Sequence, residues 1–221
     1  MNSDYLKPEI LKSALLTVDV QNDFTLPGAV AEIPGTLSLI PNIKKILEKY
    51  RKHKFPIIHA VRLYKPDGSN AELYRRELIK KGKMMVQPNS EGSQLVKDLL
   101  PKRNIKLKPE YLKSGNFQEI GRMEWIMYKP RWGAFYKTNL EKRLNELGVN
   151  TIIICGCNFP NCPRTTIYEA IERDYKVIFI EDATSGVYKR GIKELRNIGV
   201  EVVKSKDFIH NLNVNWEDNQ K

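Results

Sequence analysis

Six short apolar runs punctuate the chain: 14–20 (ALLTVDV), 56–61 (PIIHAV), 125–129 (WIMYK), 151–155 (TIIIC), 176–180 (KVIFI) and 200–203 (VEVV). They are continuous and rich in Val and Ile, the pattern of strands covered on both faces. Between them the period changes. Ile43, Ile46, Leu47 and Tyr50 recur at helical spacing, as do Leu140, Leu144 and Leu147. Thr138-Asn-Leu-Glu141 has the form of a capping box and predicts a helix start there. A further helix is predicted over 187–198, closed by Gly199. The segment from 64 to 124 is less regular, with helices predicted over 70–81 and 93–100 and a loop-rich stretch through Phe117 and Gly121. Connections that long are often lids or selectivity elements, and 101–124 together with Arg62 and Tyr64 are the candidates here.

Strand–helix alternation implies right-handed βαβ units and a mostly parallel sheet, so the expected architecture is a doubly wound α/β three-layer sandwich. At 221 residues, with no repeat and no Gly/Ser-rich linker, one domain spanning 1–221 is expected.

Composition narrows the function classes. Hydrophobic residues make up 41% and charged residues 29%, ordinary values for a globular protein. No apolar run approaches the ~20 residues that span a bilayer, so no membrane partner is expected. The start, MNSDYLKPEILKS, shows no secretory signal, which makes the cytoplasm the expected compartment. Net charge is +11, but the basic residues are dispersed and no nucleic-acid-binding signature accompanies them. They read as a solvated surface.

Chemistry gathers at the carboxyl ends of the predicted strands, where open α/β sheets bind ligands. The first strand runs into Asp19 within Val-Asp-Val-Gln-Asn-Asp-Phe24, and the third into Lys129. The fourth leads through Gly156 to Cys162. The stretch CGCNFPNCPRTT, 155–166, holds all three cysteines. A structural zinc site needs four ligands, and no second Cys or His pair follows; the histidines, His53, His59 and His210, are scattered. A disulfide is disfavoured by the compartment and the odd thiol count. Pro163 suits the first turn of a helix, placing Cys162 at the N-terminus, where the helix dipole favours the thiolate. Cys155, inside an apolar run, reads as core.

These residues resemble the isochorismatase-like cysteine hydrolases. The resemblance rests on Val-Asp19-Val-Gln-Asn-Asp-Phe24, Lys129-Pro-Arg-Trp-Gly-Ala-Phe135, and Gly156-Cys-Asn-Phe-Pro-Asn-Cys162 followed by Thr165, Thr166 and Ala170, and it runs from 13 to 209. It implies a six-stranded parallel sheet of order 3-2-1-4-5-6. It also implies a thioester mechanism in which Cys162 is the nucleophile, Asp19 the general base and Lys129 the electrostatic support of the pair. A cis peptide joining Cys157 and Asn158 is implied, turning the backbone N–H groups of Asn158 and Cys162 into an oxyanion hole. Phe24, Trp132 and Phe135 become candidate substrate-binding walls. The metal-binding histidine pair that nicotinamidases carry after the second strand is missing from His59-Ala-Val-Arg62-Leu-Tyr-Lys-Pro-Asp67, so no metal and no cofactor are expected.

The implied function is hydrolysis of a small-molecule amide or lactam; CNFPNCPRT with YKPRWGAFY is similar to a subgroup that includes streptothricin hydrolases. The alternatives are an isochorismatase-type vinyl ether hydrolase using Asp19 as acid, and a basic binding or redox-sensing module. By analogy with relatives, a homodimer or homotetramer is expected.

Overall fold

The first strand, β1 (Ser13–Val18), runs straight up the middle of a seven-stranded sheet. The computed structural model describes residues 5–218. In chain order the other elements are α1 (Asn22–Thr25), α2 (Ile40–His53), β2 (Ile57–Val61), α3 (Leu73–Lys80), α4 (Pro109–Lys113), β3 (Gln118–Gly121) and β4 (Glu124–Tyr128). Then follow α5 (Leu140–Glu146), β5 (Thr151–Gly156), α6 (Cys162–Ile171), β6 (Lys176–Thr184), α7 (Lys189–Asn197), β7 (Glu201–Val203) and α8 (Ser205–Asp218).

The sheet order is β3-β4-β2-β1-β5-β6-β7. The six expected strands lie in the expected order, all parallel. The seventh, β3, is an added edge strand antiparallel to β4. It falls inside the stretch expected to be loop, because only Gln118 and Ile120 face inward.

The two faces of the sheet are covered by different helices. Ala14, Leu16 and Val18 of β1, with Ile152 and Ile154 of β5, pack under α5, α6 and α7 through Leu140, Leu144, Ile167, Ala170, Ile192 and Leu195. Leu15, Ile153 and Cys155 point the other way, against Ile43, Ile46, Leu47 and Tyr50 of α2 and Phe208 and Leu212 of α8. Alternate residues of a central strand thus each meet a helix, which is why both phases of the sequence are apolar. Each such large apolar side chain contributes about 1.5–3 kcal/mol on burial.

Some local expectations change. The box at Thr138 is not formed as expected: its hydroxyl donates to the Ala134 carbonyl (2.6 Å) and accepts the Leu140 N–H (3.3 Å) rather than that of Glu141, and Asn139 takes the N-cap position. Glu141 instead pairs with Arg173. The helix expected over 93–100 is a single 3₁₀ turn, Lys97–Leu99. The helix expected over 70–81 begins at Leu73, after a loop that carries Asn70 and Glu72. Gly199 does end α7, with φ +85°.

His59 is not near the site rim. It sits fully buried in β2, bonded to Thr17 Oγ1 (2.7 Å) and Glu124 Oε1 (2.9 Å), with Arg51 clamping the same carboxylate from α2. Burial pushes the Glu124 carboxyl up, but the Arg51 and His59 hydrogen bonds overcome this and hold it at about 2, against an ordinary 4.5. A depressed carboxyl stabilises the fold above its unfolded value and loses that contribution as pH falls through it. Stability is therefore expected to drop between pH 4.5 and 2, and a Glu124→Gln variant, weaker at neutral pH, to show a flatter decline. Denaturant midpoints measured across that range check it; parallel curves for the two proteins would refute the assignment.

Candidate active site

Asp19, Lys129 and Cys162 meet at the carboxyl rim of the sheet. Asp19 follows β1 in a left-handed conformation, φ 53°. Aspartate tolerates that region better than most residues. Its N–H is held by the Ala60 carbonyl at 2.9 Å, and its carbonyl receives the Gln21 N–H and the Cys157 thiol, each at 2.8 Å. The turn that breaks the strand therefore aims the Asp19 side chain across the rim. There its Oδ2 lies 2.8 Å from Lys129 Nζ. Lys129, one residue past β4, is fully buried, and its ammonium also reaches the Arg131 and Trp132 carbonyls at 3.2 Å. Asp19 Oδ1 is buried and without a hydrogen-bond partner among the described residues.

Cys162 opens α6, with Asn161 as N-cap and Pro163 in the first turn. Its thiol stands next to the Asp19 carboxylate. Burial, and then the Asp19 charge, push the thiol up to about 12, outweighing the pull of Lys129 and Arg62. Burial first, and then the adjacent carboxylate, oppose the helix dipole and favour the protonated thiol at rest. The thiol is poised to transfer that proton rather than already ionised.

The connection from β5 to α6 contains the cis peptide between Cys157 and Asn158. Gly156 has φ +121°, and a Cβ there would stand 2.2 Å from the Val18 carbonyl oxygen. Glycine is thus required where β5 crosses closest to β1. The N–H groups of Asn158 and Cys162 have no acceptor among the described residues, whereas the intervening Phe159 N–H is taken by Ser185 O at 2.7 Å. Cys157 is buried with its thiol on the Asp19 carbonyl, and Cys155 lies in the core.

A pocket of about 590 Å³ opens at the start of α6; its walls include Trp132, Arg131, Tyr74, Tyr136, Glu72 and Glu169, while Cys162, Asp19 and Lys129 are not among the residues that line it. Asn161 and Thr165, which flank Cys162 on the chain and one turn along α6, also line it. Of the three aromatics expected as walls, only Trp132 is one, 37% exposed. Phe24 packs with Tyr64, Ala71, Ile79 and Met85 in a small separate core. Phe135 belongs to the main core, where it meets Tyr175, while its N–H holds Glu169 Oε2 at 2.9 Å. Neither lines that pocket.

Gln21, inside the VQNDF stretch, has a positioning role that its polar type alone does not signal. It is fully buried and clamps the end of β2: Oε1 accepts the Arg62 N–H, and Nε2 donates to the Arg62 and Ser93 carbonyls, all within 2.8 Å. Asn22 and Asp23 pin 86–94 in the same way. The polar string after β1 thus holds the long irregular connection in place. Thr166 ties α6 to the Lys129 loop, donating to Cys162 O (2.7 Å) and accepting from Ala134 N (3.1 Å). Among the described residues no group of three or more His, Cys, Asp or Glu is placed to hold a metal ion, and no helix is long and apolar enough to cross a membrane.

Comparison with known proteins follows the same lines. The isochorismatase domain family model matches residues 13–110 and 117–207. A probable inactive nicotinamidase of Arabidopsis thaliana is 32% identical over 194 residues, covering 85% of this chain and 90% of its own. N-carbamoylsarcosine amidase of an Arthrobacter species is 23% identical over 190 residues, 84% of this chain and 66% of its own. The crystal structure of an isochorismatase family protein from Desulfovibrio vulgaris superposes with a TM-score of 0.77 at 31% identity, covering 91% of this chain and 98% of that one.

Proposed function

The chain belongs to the isochorismatase family of hydrolases, and from that premise we propose that it is a cysteine amidohydrolase that cleaves a C–N bond of a small amide through a thioester on Cys162. The observation that carries this reading is the Asp19 carboxylate next to the Cys162 thiol, one oxygen fixed by Lys129 and the other, Oδ1, buried with no hydrogen-bond partner among the described residues. One oxygen holds the geometry and the other is free to take a proton.

The steps follow from that arrangement. As Cys162 Sγ attacks the amide carbon, its proton passes to Asp19 Oδ1 and negative charge develops on the carbonyl oxygen. The N–H groups of Asn158 and Cys162 receive that charge; one such donor is worth about 3 kcal/mol of barrier. Collapse breaks the C–N bond, and Asp19 returns the proton to the departing amine. A water then gives a proton to Asp19 as its oxygen attacks the thioester, and breaking the C–S bond releases a carboxylic acid and restores the thiol. In this reading the whole chain is one catalytic domain and no cofactor takes part.

The test is acid-quenched intact-mass analysis of the enzyme during turnover of a panel of small amides, carbamoyl compounds and lactams. An acyl adduct mapped to Cys162 is the expected result. Turnover of a panel member with no adduct at short quench times, and none trapped by hydroxylamine, would count against the thioester.

A further inference from the structure

We propose that Phe159 is a positioning residue of the reaction: its ring, seated against Gly191 of α7, sets where the Asn158 and Cys162 N–H groups stand. The inference rests on the Cys162 reading and adds what holds its oxyanion donors in place.

Phe159 follows Asn158 on the short path to Cys162 and is fully buried. Its ring centre lies 5.1 Å from that of Phe179 in β6 and 5.3 Å from that of Tyr188, the N-cap of α7. Its own N–H is spent on Ser185 O, so it serves the site through its ring and the backbone that the ring anchors. Arg164, two residues past the thiol, sits over the same ring at 5.9 Å and ties α6 to α7 through Tyr188 and Glu194. The path between the two donors is thus gripped from both sides.

Gly191 is the other half of the contact. It stands in the first turn of α7 without a positive φ, where alanine would favour the helix. A Cβ there would lie 2.4 Å from Phe159 Cε1 and 3.0 Å from its Cζ. Both are well inside the ~3.5 Å at which carbon atoms pack. The same Cβ would stand 2.9 Å from Tyr188 Cε2, but that ring is 39% exposed and has solvent to swing into. The Phe159 ring has none. Close-packed interiors transmit such a displacement, here to the backbone that bears the donors. A donor acts only within hydrogen-bond range of the developing charge. One methyl group on α7, a helix that carries none of the reacting groups, therefore reaches the chemistry.

Two reagents separate the donors from the thiol. Para-nitrophenyl acetate acylates a thiol through a tetrahedral oxyanion: the S–C bond forms, nitrophenolate leaves, and Asp19 takes the thiol proton. Iodoacetamide alkylates by direct displacement of iodide, and no oxyanion develops. The ratio of the two rates at Cys162, mapped by peptide mass spectrometry after acid quench, reads the donors. In Gly191→Ala this ratio is expected to fall about tenfold, part of the roughly 10²–10³ that loss of a whole donor costs, with alkylation and circular dichroism unchanged. Phe159→Leu, which removes the ring and adds nothing, should lower the ratio as well. In the double variant the methyl takes room that the ring has left, and the ratio should rise above that of Gly191→Ala, as coupled neighbours require. Lys193→Ala, an exposed change in the same helix, should leave it as it is. A ratio that neither Gly191→Ala nor Phe159→Leu moves, or both rates falling in step, overturns the positioning role while leaving the hydrolase reading intact. A double variant no better than Gly191→Ala does the same. Failure of both reagents to label Cys162 in the parent enzyme overturns the nucleophile assignment, and this inference with it.

Discussion

A Cys162→Ala variant is expected to lose amide turnover by a factor of about 10⁴ or more, and Asp19→Asn by a comparable factor, with the double variant no worse than either. The two act as one device. A thiol that burial and the Asp19 charge push well above its ordinary range rests protonated at neutral pH, so attack depends on a base that takes the proton as the bond forms. Asparagine accepts no proton and returns none to the leaving amine. The two variants differ in labelling. Asp19→Asn removes a charge that raises the thiol and leaves Lys129 beside it, so iodoacetamide reactivity at Cys162 should persist or rise while turnover disappears. Turnover and labelling kinetics on the same preparations separate these outcomes. Parallel loss of both in Asp19→Asn would mean that the carboxylate only positions the thiol. Full activity in Cys162→Ala would redirect the chemistry to Asp19 acting as an acid on a vinyl ether.

Replacing Lys129 is expected to damage stability as well as activity. Its ammonium is fully buried and lies 2.8 Å from the Asp19 carboxylate. A Lys129→Met variant leaves that carboxylate in the interior without its cation, an arrangement that costs about 3–5 kcal/mol. The same Met variant combined with Asp19→Asn removes both charges and should recover much of the loss, while remaining inactive. Urea midpoints of the two single variants and the double variant measure the coupling. Additive losses, with no recovery in the double variant, would show that Lys129 acts through its packing stem rather than its charge.

Much of this was legible in the residues. The continuous Val/Ile runs announce buried parallel strands, and six of them lie in the expected order. The acid, the base-bearing lysine and the thiol are readable because each follows such a run and so falls on one rim. What stayed hidden has physical reasons. Strand β3 is four residues long with two facing inward, too short for a period of two to stand out. The residues after Val18 remain apolar at Val20, so the sequence carries the strand through Asp19, where the backbone in fact turns left-handed. Phe24 and Phe135 could not be told from Trp132, because core and pocket wall both ask for an aromatic; only Trp132 keeps a face in the pocket. The balance at the thiol is hidden because helix position is a local signal, whereas its burial and the Asp19 charge, from a residue over a hundred positions away, arise only in the fold.

Strand β3 has one more consequence, for assembly. Outer strands of a sheet are where a second molecule most readily adds by backbone pairing. Here one outer strand, β3, has four residues and a register shift between Glu119 and Gly121, and the other, β7, has three. Neither offers a run of unpaired amides long enough to template a neighbour. Extension of the sheet by a second copy of this chain is therefore not expected at either margin.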